Sequence, residues 1–133
     1  MNEFIDATVI KGNSRSFSVT VNQRNETDTD FEPMDLDPYK IRFVVLGAPT
    51  ADAKELVVHE ITQVSDIETD GQITVPQNGE FYFTLTKEDT ITLGLGHHPI
   101  KIDFLDINTD EYIFTLTEGG LNGEFSKIHI VEV

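Results

Sequence analysis

The chain has 133 residues, 38% of them hydrophobic, with nine Phe, three Tyr and no Trp, enough for one modest core and a single domain over residues 1–133. Twenty-four acids against nine bases give a formal charge of -15, a field that repels nucleic acid and anionic lipid and argues against both as partners. With no cysteine there is neither a disulfide framework nor a thiolate site, and the start MNEFIDATVIKG lacks the basic stretch and apolar core of a secretory leader, so synthesis in a cytoplasm is expected.

Phe4 to Lys11 reads as a first strand at an edge, closed by a turn at Gly12, Asn13 and Ser14. In RSFSVTV, from Arg15 to Val21, Phe17, Val19 and Val21 alternate with Ser and Thr, the period of a half-buried strand. Asn22 to Tyr39 follows as a long loop with six acids between Glu26 and Asp37 and no base among them. Lys40 to Leu46 is a strand whose continuous apolar second half predicts a central position, with Gly47 closing it. Weaker strands are expected at Glu55 to Thr62 and Ile67 to Val75, and the turn signals at Asp70-Gly71 and at Gln77-Asn78-Gly79 leave Gln72 to Val75 as a short strand between turns.

The stretch from Gly79 to Phe104 organises the rest. Phe81, Phe83 and Leu85 share one face of a strand. Thr86 and Asp89 then have the spacing of a capping box, with Glu88 also in the first turn, where negative charge suits a helix start. The helical turn must be short, because Gly94, Gly96 and Pro99 follow, and Ile100, Ile102 and Phe104 resume the strand period. DINTDE, from Asp106 to Glu111, connects it to Tyr112 to Thr117 as a hairpin, and after Gly119, Gly120 and Gly123 a last strand runs from Phe125 to Val133. Seven to nine short strands with one helical turn predict an all-β sandwich.

Among candidate sites, His97-His98 is a tandem pair whose rings point to opposite faces of an extended chain, which is poor geometry for a shared metal. His59 and His129 fall in strands and read as structural or exposed. Asp106, Asn108 and Asp110 have the opening spacing of a calcium loop, but Glu111 stands where glycine is required and Thr117 where the bidentate glutamate belongs, so a turn is the better reading. The acidic loop offers Asp28, Asp30, Glu32, Asp35 and Asp37 as oxygens for Ca²⁺, against the plainer reading of a solvated surface. Phe31, Met34 and Leu36 interrupt those acids; Leu36 reads as core, and Phe31 and Met34 as candidate partner contacts together with His97 and His98. Asn25-Glu26-Thr27 spells a glycosylation sequon, relevant only to a secreted protein. No nucleophile elbow, phosphate loop or other catalytic motif is present, and the expectation is a protein that is not an enzyme and carries no metal or cofactor.

The succession KGNSRSFSVTV, PMDLDPYKIRFVVLG, GEFYFTLTKEDTITLGLGHHPIKIDFLD and EYIFTLTEGGL resembles the N-terminal immunoglobulin-like domain of tailed-phage baseplate upper proteins and related tail and virion proteins. The matching positions are Lys11-Gly12, Asp35-Leu36, Leu85-Thr86 with Asp89-Thr90, Gly96 and Gly119, all of which determine fold. Family members place an aromatic residue soon after that second glycine, where this chain has His97, His98 and Pro99. They also continue into helical and partner-binding regions, so a small tail, neck or head-decorating component fits as well as a baseplate scaffold. The resemblance implies an immunoglobulin-like antiparallel sandwich and a virion structural protein, present in many copies and bound to other phage proteins. A host-surface or carbohydrate-binding module of the same fold is the alternative; it predicts exposed aromatics at one end, Phe31 with Tyr39 or His97 with His98. The terminal strands Phe4 to Ile10 and Lys127 to Val133 are candidates for pairing with a neighbour, with internal pairing as the plainer reading.

Overall fold

The computed structural model describes residues 6–24, 31–48, 53–116 and 127–132. Eleven strands lie among them: β1 (Asp6–Ile10), β2 (Arg15–Thr20), β3 (Asn22–Arg24), β4 (Phe31–Pro33), β5 (Tyr39–Leu46), β6 (Glu55–Ile61), β7 (Gly71–Val75), β8 (Glu80–Leu85), β9 (Gly96–Asp106), β10 (Tyr112–Leu116) and β11 (Lys127–Val131). The helix α1 (Lys87–Leu93) and a 3₁₀ turn at Pro76–Asn78 complete them.

The larger sheet has the order β1-β11-β9-β5-β6, with β10 also on β9, and the smaller one β2-β8-β7. The immunoglobulin plan sets strands B, E and D against G, F, C and C′. Here β2, β8 and β7 supply the first set and β11, β9, β5 and β6 the second, so the fold is the expected all-β, immunoglobulin-like sandwich. Two details swell the strand number. Tyr112 to Leu116 pairs with Leu105 to Ile102, and Lys127 to Ile130 pairs with Pro99 to Gly96, so β10 and β11 are two halves of one line along the same flank of β9. The second detail is a correction: the stretch from Asn22 to Tyr39 is not all loop, since β3 and β4 pair as a short antiparallel ribbon, Gln23 opposite Glu32. Ile67 lies in a turn ahead of β7, so the wider bound is corrected, while the short strand from Gln72 to Val75 forms as expected within β7.

The core follows from alternation. Ile41, Phe43 and Val45 of β5, Ile100, Ile102 and Phe104 of β9, and Phe81, Phe83 and Leu85 of β8 are buried together. Phe43 stacks on Phe83 across the two layers with ring centroids 4.1 Å apart, and Phe17 of β2 stacks on the far side of Phe83 at 5.0 Å. Face-to-face rings of this kind tie the sheets together where many immunoglobulin domains use a disulfide. Leu36 is fully buried, as expected.

The passage from β8 to β9 carries the chain from the smaller sheet to the larger. The capping box forms in full: Thr86 Oγ1 accepts from the Asp89 amide at 3.1 Å, and the Thr86 amide donates to Asp89 Oδ2 at 2.9 Å. Thr90, fully buried, accepts the Gly12 amide at 2.9 Å and so pins the first turn to this corner. Glycine is required at two joints. A Cβ on Gly71, at φ +117°, would lie 2.1 Å from the Tyr82 carbonyl oxygen, and one on Gly79, at φ +70°, would lie 2.3 Å from that of Val21.

Candidate functional site: the outer face of the larger sheet

Strand register decides which side chains meet on the solvent side of the larger sheet. Thr115 of β10 stands opposite Asp103 of β9, Asp103 opposite Arg42 of β5, and Arg42 opposite Glu60 of β6. Asp103 is only 6% exposed on this side, so its charge needs partners. Thr115 Oγ1 donates to Asp103 Oδ1 at 2.6 Å, and because that uses the threonine proton, the Tyr112 hydroxyl at 2.7 Å donates in turn to Thr115. Arg42 Nη1 and Lys101 Nζ each lie 3.7 Å from Asp103 Oδ2.

Arg42 also grips Glu55 with both arms, at 2.6 and 3.1 Å, the fork geometry that suits guanidinium to carboxylate. That hydrogen bonding holds the Glu55 carboxyl below the usual range. Lys40 reaches Glu60 at 3.0 Å and Asp110 at 2.7 Å. Beside this mesh, the β9–β10 hairpin exposes Ile107, Tyr112 and Ile113. Chemically the face combines fixed charges of both signs with apolar groups at one corner.

A second polar cluster lies off this face. His59 of β6 places Nδ1 2.7 Å from Asp70 Oδ1 and Nε2 2.7 Å from Asp89 Oδ2. Ionised carboxylates only accept, so the protonated ring is the form in which both nitrogens donate, one to each carboxylate. Burial is the largest influence on His59 and opposes that charge, but the hydrogen bonds to Asp89 and Asp70 outweigh it and raise the pKa. On Asp89 burial likewise opposes charge, and the bonds to His59 and Thr86 outweigh it and lower the pKa. The two carboxylates sit on opposite edges of the ring, a clasp between β6, the turn before β7 and α1.

The residues singled out in the sequence separate. Met34 is a correction: it is buried in the core, its amide bonded to the Val21 carbonyl at 3.0 Å, and it presents nothing to a partner. The backbone of Phe31 belongs to β4, and its side chain lies outside the described residues. His97 is exposed and stacks on His129, with centroids 3.9 Å apart. His98 turns the other way, half-buried, its Nε2 donating to the Gly94 carbonyl at 3.0 Å. Tyr39 packs edge-on against Phe104 and Phe114, and His97 and His98, turned to opposite faces, form no exposed cluster.

Of the loop acids, Asp28 and Asp30 lie outside the described residues, as do the sequon and the glycines from 119 to 123. Asp35 accepts the Asp37 amide, and Asp37 accepts the side chains of Gln63 and Gln77. Asp106 caps the Asn108 and Thr109 amides and Asp110 takes φ 61°, the conformational use expected of a turn. Among the described residues no group of three or more His, Asp or Glu is placed to hold a metal ion, and no helix is long and apolar enough to cross a membrane.

No protein-family model matches the chain, and no curated protein matches it. Among solved structures, the chain is similar to one in the crystal structure of the ZIG-8–RIG-5 IG1–IG1 heterodimer, monoclinic form, at 11% identity and a TM-score of 0.40, over 98% of this chain and 86% of that one. The assignment of fold rests on the strand order and not on this likeness.

Proposed function

We propose that this chain is a phage virion structural protein, a tail or baseplate, neck or head-decorating component that acts by binding other particle proteins. The observation that supports a binding role is the β9–β10 hairpin, where Ile107, Tyr112 and Ile113 are exposed beside the lattice of ion pairs that Lys40 extends to Asp110. Apolar groups rimmed by fixed charges suit a protein contact. The excess of acids keeps many copies soluble before assembly, and the phage assignment itself comes from the resemblance of the strand and turn motifs.

Immunogold electron microscopy of particles from a lysate of the source, with an antibody to this protein, tests the reading. Regular label at a tail tip, neck or capsid is expected. Bare particles with the protein free or on cells would overturn it and favour a host-surface or carbohydrate-binding module. The Ile107→Asp/Ile113→Asp variant, folded by circular dichroism, is expected to be missing from purified particles.

A further inference from the structure

The four histidines divide into two kinds. Both ring nitrogens of His59 are engaged by carboxylates, and His98 donates to a backbone carbonyl. His97 and His129 have no hydrogen-bond or ion-pair partner among the described residues; each has only the other, ring on ring. They come together because β9 and β11 pair antiparallel with His97 directly opposite His129. Both point to the outer face, since Ile128 and Ile130 on either side of His129 are buried in the core. His97 is exposed and His129 half-exposed, so the pair is open to solvent.

Neutral imidazole is a ligand for zinc, nickel and copper, with metal–nitrogen bonds of about 2.0–2.1 Å. Two nitrogens sharing one ion at that reach lie roughly 3–4 Å apart. In the stack, with planes 20° apart, the in-plane lone pairs run nearly parallel, so each ring must turn about its Cβ–Cγ bond to aim a nitrogen at one ion; directly opposed residues, with Cβ atoms about 4.5–5.5 Å apart, are near enough for that. The sheet holds both backbones, so the second imidazole acts at high effective concentration once the first has bound.

We propose that His97 and His129 form a two-imidazole chelate for a divalent transition-metal ion, with solvent in the remaining coordination positions. The tandem neighbour His98 takes no share in it, because its ring is on the other face.

The test is calorimetric titration of the full, tag-free chain with Zn²⁺ or Ni²⁺, and electron paramagnetic resonance with one equivalent of Cu²⁺. One saturable site is expected, with hyperfine coupling from two imidazole nitrogens. His97→Ala and His129→Ala are each expected to weaken binding by roughly tenfold or more, the loss of a chelating arm. His98→Ala is expected to leave it unchanged. His129→Phe preserves a ring for the stack and removes its lone pairs, so it is expected to keep the melting temperature and lose the site. Equal affinity in wild type and His129→Phe, a single coupled nitrogen, or a loss with His98→Ala equal to that with His97→Ala would overturn the proposal.

Discussion

At the scale of single residues, His59 makes the sharpest demand on conditions. Its pKa is raised on folding, so its contribution is complete below the ordinary imidazole value of about 6.5 and is lost as pH rises through the raised value. Asp89 is lowered on folding, so its contribution is complete above the ordinary carboxyl value of about 3.9 and is lost as pH falls through the lowered one. Both operate together between about pH 4 and pH 6.5. His59→Gln is expected to cost about 2 kcal/mol in that window, the scale of removing one partner of a buried ion pair that still has some access to water. Thermal melts of both proteins at pH 5.5 and pH 9 check this. The gap in melting temperature is expected to be wider at pH 5.5, and an equal gap at both would remove the clasp as a charged device. None of this is legible locally, because Asp70 and Asp89 lie 11 and 30 positions from His59 and meet it only through the fold. His97 gives the same lesson, since its neighbour in sequence is His98 and its neighbour in space is His129.

At the scale of elements, what alternates and what caps can be read directly. Phe81, Phe83 and Leu85 proclaim their face by period, and Thr86 with Asp89 complete a bond pair that needs nothing beyond four consecutive residues. The β3–β4 ribbon has three residues a side and no hydrophobic period, so it is indistinguishable from loop until its register is seen. Met34 misleads for a related reason: an apolar residue among acids looks exposed, but its amide is bonded to Val21 at the edge of the core. The stack of Phe17, Phe83 and Phe43 joins elements that sequence cannot order. Phe83→Ala removes its middle ring and is expected to cost about 3–5 kcal/mol by urea unfolding. Phe17→Ala is expected to cost less, because Phe17 is only half-buried. In a double-mutant cycle, Phe43 and Phe83 are expected to couple by about 1 kcal/mol beyond burial; additive costs would mean that the stacking geometry contributes nothing of its own.

At the scale of the whole molecule, the first and last strands meet. The plainer reading of the terminal strands, internal pairing, holds for the described residues of both: β11 is taken on both flanks, by β9 and by β1. The β1–β11 pair is parallel, with Asp6 beside Lys127 and Ile10 beside Val131, and the Lys11 amide extends it to the Val131 carbonyl at 2.8 Å. A chain entering at Asp6 and leaving after Val131 therefore starts at one end of the pair and departs from the other. Tension along the polypeptide slides these strands lengthwise, so their hydrogen bonds share the load and must rupture together. The β9–β10 hairpin, pulled from its open ends, would unzip bond by bond. Single-molecule pulling through residues 6 and 131 is expected to give a higher rupture force than pulling through residues 102 and 116. Loaded in shear in this way, the parallel pair resists stretching along the chain.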